Sequence, residues 1–194
     1  MRAIAACWAD HVFDAVRQDR LSLNEARALI VAYVIPSLDT TILAAAHMFW
    51  LLATHKHLFE EIREDHQLIP GVINEVLRLA SPVVGFTRLA TQDTTLAGHK
   101  IDKGARLIAL LSSANLDERK YPDPRCFDIR RDPKDHVAFG YGKHRCAGVR
   151  IAKLELEELL RALCDSASSI GVGEPTYVLN STLQGFKSLP GSIK

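Results

Sequence analysis

The chain reads as mainly α with a small antiparallel β component, and three observations predict this. Apolar residues recur at helical spacing from the N-terminus to Ala80 and again after Ala147. The period changes to two between Val83 and Leu111. A glycine-rich stretch holding one cysteine, Phe139-Gly140-Tyr141-Gly142-Lys143-His144-Arg145-Cys146-Ala147-Gly148, opens directly into the last amphipathic segment.

The elements follow in order. Residues 2–20 place Ile4, Trp8, Val12 and Val16 on one face of a helix. Ser22 with Glu25 has capping-box spacing and starts a long apolar helix that the pattern carries to about His55. A short helix is expected over residues 58–66. Another over residues 70–79 turns Ile73, Val76, Leu77 and Ala80 to a core, and Ser81-Pro82 ends it. Asp93, Gly98, Asp102 and Gly104 punctuate residues 83–111 into one antiparallel sheet of three or four short strands. Residues 112–138, broken by Pro122, Pro124 and Pro133, form a meander of the kind that is functional when ordered. Helix returns over residues 147–167, and Gly185 marks a closing hairpin within residues 175–189.

With 194 residues, 47% hydrophobic and 24% charged, the chain can build one domain around a sizeable core. A net charge of +1, from 24 basic and 23 acidic side chains, argues against nucleic acid or a membrane surface as partner. The run from Ala26 to Ala53 is long enough to span a bilayer, but Pro36, Ser37, Asp39, Thr40 and Thr41 interrupt it, so it reads as the central helix of a globular protein. Cysteines at 7, 126, 146 and 164 show no paired spacing, and they suit a reducing cytoplasm. Residues 1–10 lack the pattern of a cleaved leader. His55, His57 and His136 have no companions at metal-site spacing and read as solvent-facing.

The cysteine loop carries the chemistry. Cys146 falls just before a helix start, where free N–H groups and the helix dipole favour thiolate, the form that binds iron, and His144 and Arg145 stand beside it. A buried structural cysteine beside a glycine turn is the competing reading. The string resembles the haem-binding loop of the cytochrome P-450 family: Phe, a small residue, any, Gly, any, His or Arg, any, Cys, any, Gly. That resemblance implies the C-terminal half of the cytochrome P-450 fold and haem b as cofactor. It makes Cys146 the axial ligand of the haem iron, packs Phe139 beside the sulfur, gives Gly140 and Gly148 to the cofactor loop and brings His144 to a haem propionate.

Other stretches resemble the same family. Glu75 and Arg78 lie at i and i+3, a spacing that alone means little because exposed pairs are common and weak. The family's Glu-any-any-Arg pair pins the meander behind the haem, so the resemblance implies a structural ion pair. A further cation completes that network in many members, and the matching position in Pro124-Arg125-Cys126-Phe127 holds Cys126, which leaves the network incomplete or rearranged. Pro36-Ser37-Leu38-Asp39-Thr40-Thr41 resembles the family's oxygen-activation segment, which assigns Asp39 and Thr40 to proton delivery, with Ser37 where glycine is usual. Arg88 matches an arginine that holds a propionate by bidentate pairing.

The implied organisation is a single domain, residues 1–194, the haem-binding half. Residues 1–55 form the N-terminal and long central helices, 56–111 the ion-pair helix and small sheet, 112–148 the meander and cysteine loop, and 149–194 the last helix and hairpin. Family members run to about twice this length, so the apolar faces around Val31, Ile42, Phe49, Ile151 and Leu159 should lack cover, inviting self-association or a complementary chain. The implied activity is monooxygenation of a small organic substrate. No flavin or nicotinamide fingerprint is present, so electrons would come from an external ferredoxin-type donor. A non-catalytic haem-binding or interaction remnant is the alternative.

Overall fold

The computed structural model describes residues 7–178 and 180–194. They divide within one long helix into two compact units, the first ending at Asp39 and the second spanning Thr40–Lys194.

In the first unit, α1 (Trp8–Arg17) is shorter than the expected helix over residues 2–20. It stops where Asp19 takes a positive φ of 53°, while residues 1–6 of that expectation lie outside the described residues. The Trp8 ring stacks on Tyr33 with centroids 4.5 Å apart. The capping box that opens α2 (Leu23–Thr54) is present: Ser22 N–H donates to Glu25 Oε2 at 2.8 Å and Glu25 N–H to Ser22 Oγ at 3.2 Å. The helix continues through Pro36, and Ser37 Oγ donates to the Val34 carbonyl at 2.7 Å. Its most apolar 18 residues have a mean hydropathy of 1.8, enough for a membrane span on length and composition, and only 11% of that window is buried. Val31, Val34, Ile35 and Leu38 stand exposed.

The second unit holds the core. Met48, Leu51 and Leu52 of α2 meet Phe59 and Ile62 of α3 (Lys56–Glu64), Val72, Ile73 and Val76 of α4 (Ile69–Ala80), and Leu156 and Leu160 of α6 (Val149–Ser166). α3 and α4 both pack on α6. α4 buries nearly every side chain, Glu75 and Arg78 included, and ends where Ser81 adopts a left-handed φ of 34°. Of the faces expected to lack cover, Ile42 is 65% and Ile151 49% exposed, whereas Phe49 and Leu159 are half-buried against the core.

The expected single sheet resolves into two ladders. β1 (Gly85–Leu89) pairs antiparallel with β4 (Arg106–Leu110), and β2 (Thr94–Leu96) with β3 (His99–Ile101). A tight turn at Ala97-Gly98 closes the β2–β3 hairpin on itself, and Asp93 ties its base by accepting from Lys103 N–H at 2.7 Å. After the single turn α5 (Leu111–Ala114) the chain meanders to the cysteine loop. Beyond α6, β5 (Ile170–Val172) pairs with β8 (Gly191–Ile193), and β6 (Thr176–Tyr177) with β7 (Phe186–Ser188), which forms the closing hairpin.

Candidate functional site

The cysteine loop is set by backbone geometry that its sequence dictates. Gly140 and Gly142 take φ of 72° and 69°, the left-handed region that side chains disfavour, and this folds the loop back so that Cys146 N–H donates to the Phe139 carbonyl at 2.9 Å. One turn of 3-10 helix, Gly142–His144, lies between them. The Cys146 sulfur accepts from Gly148 N–H at 3.3 Å, and a Cβ on Gly148 would lie 3.6 Å from that sulfur. Phe139 is half-buried against the core, while Cys146 and His144 are exposed. The structure thus brings Phe139, Gly140, Cys146 and Gly148 together in one turn. Arg88 stands on exposed β1, its Nη1 donating to the Thr87 carbonyl at 3.0 Å and its guanidinium over the Phe86 ring. Asp39, the last residue of the first unit, is exposed, and Thr40, the first of the second, is half-buried.

These residues fit a thiolate-ligated prosthetic group. The loop presents one soft sulfur to solvent, and that sulfur accepts a backbone N–H. Residues 136–154 contain Lys143, His144, Arg145, Arg150 and Lys153 and no acid, which suits an anionic ligand nearby. Among the described residues no group of three or more His, Cys, Asp or Glu could hold a metal ion. The other cysteines differ in setting. Cys164 is buried and its thiol is pushed up to about 11 by that burial, with Asp165 adding to the effect. Cys7 heads α1, where its N–H donates to Asp10.

On α4, Glu75 and Arg78 form a fully buried bidentate pair, Nε to Oε2 and Nη2 to Oε1, both 2.7 Å. Arg78 Nη1 donates at 2.7 Å to the carbonyls of Asn115 and Pro124, which fastens the meander to α4. The expected gap at Cys126 is filled from elsewhere. Arg131 Nε reaches Glu75 Oε1 at 3.1 Å and its Nη1 donates to the Pro122 carbonyl at 2.8 Å, so the second cation enters five residues further along the meander. Cys126 contributes only its backbone, a carbonyl 3.4 Å from Arg78 Nη2, and its side chain is exposed. Sequence reasoning missed Arg131 because an arginine in a loop carries no positional signal until the loop is folded.

His136, expected to face solvent, is instead buried at 9% exposure and packs its ring 5.7 Å from that of Phe139. Its Nδ1 accepts from Ala138 N–H at 3.2 Å. Burial, reinforced by Lys153 and Arg145, lowers its pKa to about 4, so the ring is neutral at pH 7. His55 is half-buried, with Nδ1 2.9 Å from the Leu51 carbonyl, and His57 is exposed as expected.

Comparison with known proteins agrees with this geometry. The cytochrome P-450 family model matches residues 2–164. A cytochrome P-450 of Rhodopseudomonas palustris is 38% identical over 168 residues, 86% of this chain and 41% of that protein. The vitamin D3 dihydroxylase of Streptomyces griseolus is 33% identical over 184 residues, 92% of this chain and 45% of the relative. Among solved structures, the tirandamycin C-bound monooxygenase TamI superposes with a TM-score of 0.92 at 28% identity, over 100% of this chain and 50% of that one. The heme domain of an Acinetobacter radioresistens enzyme gives a TM-score of 0.90 at 28% identity, covering 97% and 47%. The chain therefore spans half or less of the length of these relatives. A loop that offers one sulfur, a buried glutamate–arginine pair bonded to the meander that leads to it, and matches over most of the chain's length agree on one assignment: this chain belongs to the cytochrome P-450 family.

Proposed function

We propose that this chain is the haem-binding half, residues 1–194, of a cytosolic cytochrome P-450 monooxygenase that inserts one oxygen atom of O2 into a small organic substrate, with electrons from an external ferredoxin-type donor. The observation that carries this reading is Cys146, whose sulfur points out of a glycine-shaped loop and accepts a backbone N–H. Haem b, when bound, supplies the activation of dioxygen. The protein's part is to hold and to deliver. Cys146 gives the sulfur, Phe139 shields it, and Gly140 and Gly148 leave room for a flat ligand. His144 and Arg88 offer cations to its propionates. Thr40 Oγ1 and the Asp39 carboxylate hold water and pass protons toward the oxygen site. Glu75 and Arg78 keep the meander, and with it the loop, in place.

The exposed apolar faces of α2 and α6 and the limited coverage of the relatives favour a second element of the reading. Turnover requires further polypeptide over those faces, from a longer chain, a complementary chain or a second copy. Without that cover the chain acts as a haem-binding module alone.

Reduced, carbon monoxide-treated protein reconstituted with hemin tests the assignment. A Soret band at the thiolate position that is lost in Cys146→Ala is expected, and colourless protein after reconstitution would refute the reading. With a surrogate reductase, Thr40→Ala is expected to divert electrons from product to peroxide. Unchanged coupling removes Thr40 from proton delivery.

A further inference from the structure

The cysteine loop has an anchor that none of its motif residues supplies. Asn115, just after α5, is 0% exposed, and each of its polar groups is engaged. Its Oδ1 accepts from Val137 N–H at 2.8 Å, and its Nδ2 donates to Ser81 Oγ at 2.7 Å. Its carbonyl accepts from Arg78 Nη1 at 2.7 Å, and its own N–H donates to the Leu111 carbonyl at 3.0 Å. Ser81 Oγ donates onward to the Arg78 carbonyl at 2.8 Å. The Ser81 hydroxyl's proton is thereby used, so it can only accept from the residue facing it. Val137 N–H can only donate. A side chain between them must offer one acceptor and one donor at fixed reach, which is what a carboxamide has and a carboxylate lacks.

Two residues beyond Val137 comes Phe139, whose carbonyl receives Cys146 N–H at 2.9 Å. A continuous path of hydrogen bonds and short backbone thus runs from the buried Glu75–Arg78 pair through Asn115 to the turn that carries the sulfur. We propose that Asn115 is a positioning residue for Cys146: it fixes residues 137–139 against the end of α4 and so sets where the thiolate stands. This rests on the haem-thiolate reading given above. The buried ion pair orders the meander, and Asn115 transmits that order to the cysteine loop.

Hydrogen exchange and haem spectra of the full 194-residue chain test this together. In Asn115→Ala, the Val137 amide should exchange about tenfold faster, the effect of one lost buried hydrogen bond, while amides of α4 such as that of Val76 keep their protection. In the hemin-reconstituted, reduced and carbon monoxide-treated variant, the ratio of thiolate-type to thiol-type Soret absorbance should fall severalfold. Ser81→Ala, which leaves the bond to Val137 in place, should change both readouts much less. If Val137 exchange rises no more than that of the α4 amides, if the Soret ratio is unchanged, or if Ser81→Ala matches Asn115→Ala in both, the proposal is overturned. Should Asn115→Ala fail to fold, Asn115→Ser, which is too short to join both partners, gives the same comparison. A wild-type chain with no thiolate band would refute the haem reading, while the Val137 measurement would still report on the anchor.

Discussion

α4 and α6 each carry a glutamate followed three residues later by arginine, and the two pairs meet opposite fates. On α4, Glu75 and Arg78 are both wholly buried and bonded bidentately at 2.7 Å. On α6, Glu158 and Arg161 are 62% and 40% exposed and lie 3.6 Å apart. Local spacing is the same in both, so spacing cannot explain the difference. The α4 pair is enclosed because the meander wraps over it, presenting the carbonyls of Asn115 and Pro124 to Arg78 and a second guanidinium, from Arg131, to Glu75. Two charges can remain inside a protein when their remaining donors and acceptors are satisfied, and among the described residues no buried side-chain nitrogen or oxygen lacks a partner. The α6 pair has water for company and little to hold.

The largest expected effect breaks the buried pair. Glu75→Gln leaves Arg78 and Arg131 facing each other without the carboxylate, and should cost about 3–5 kcal/mol in urea unfolding. A loss under about 1 kcal/mol would mean that the pair is solvated and the contrast with α6 unfounded.

The next test uses pH on the same side of the molecule. His136 is neutral in the fold because burial, Lys153, Arg145 and Arg78 disfavour its charge, with Asp135 opposing them, and its pKa falls to about 4 from an ordinary 6.5. The unfolded chain therefore binds a proton first as pH falls. The neutral ring's contribution is fully present above about 6.5, is lost between there and about 4, and levels off below that. The loss should be on the order of 3 kcal/mol across that window. His136→Gln should flatten this part of the stability curve, and an unchanged slope would show that the ring titrates freely.

A smaller effect separates the two cations on Glu75. Arg131 is partly open to solvent and makes one charged contact to the carboxylate, so Arg131→Ala should cost about 1.5–3 kcal/mol, less than Glu75→Gln. Equal costs would indicate that the network acts as one unit. The smallest effect is on α6, where Arg161→Ala should change stability by no more than about 0.5 kcal/mol. A larger loss there would erase the distinction between the two helices.

Much of this was legible from residues alone. The capping box at Ser22 and Glu25, the amphipathic faces of α4 and α6 and the glycine-bounded cysteine turn are local devices, written in neighbouring residues, and they form as read. What depended on distant partners was read less well. Arg131 and Asn115 sit in a meander without periodicity, and nothing near them in sequence says that one will meet Glu75 and the other Val137. His136 looked like a surface histidine because its burial comes from packing against Phe139 and the cations of other segments. Residues 83–111 form four short strands as expected but two ladders in place of one sheet, since a hairpin that closes locally at Ala97-Gly98 leaves β1 and β4 to pair with each other.

By itself, then, the order of residues determined the helices, the turn that exposes one sulfur and the resemblance that names its ligand, because φ restrictions, capping and 3.6-residue periodicity act over a few positions. The tertiary structure alone decided which glutamate–arginine pair is buried, which arginine completes it and which asparagine carries its order to Cys146. The reason is dielectric as much as geometric: a charge or an amide acquires its role when surrounding chain removes water from it, and that enclosure is assembled from segments far apart in sequence.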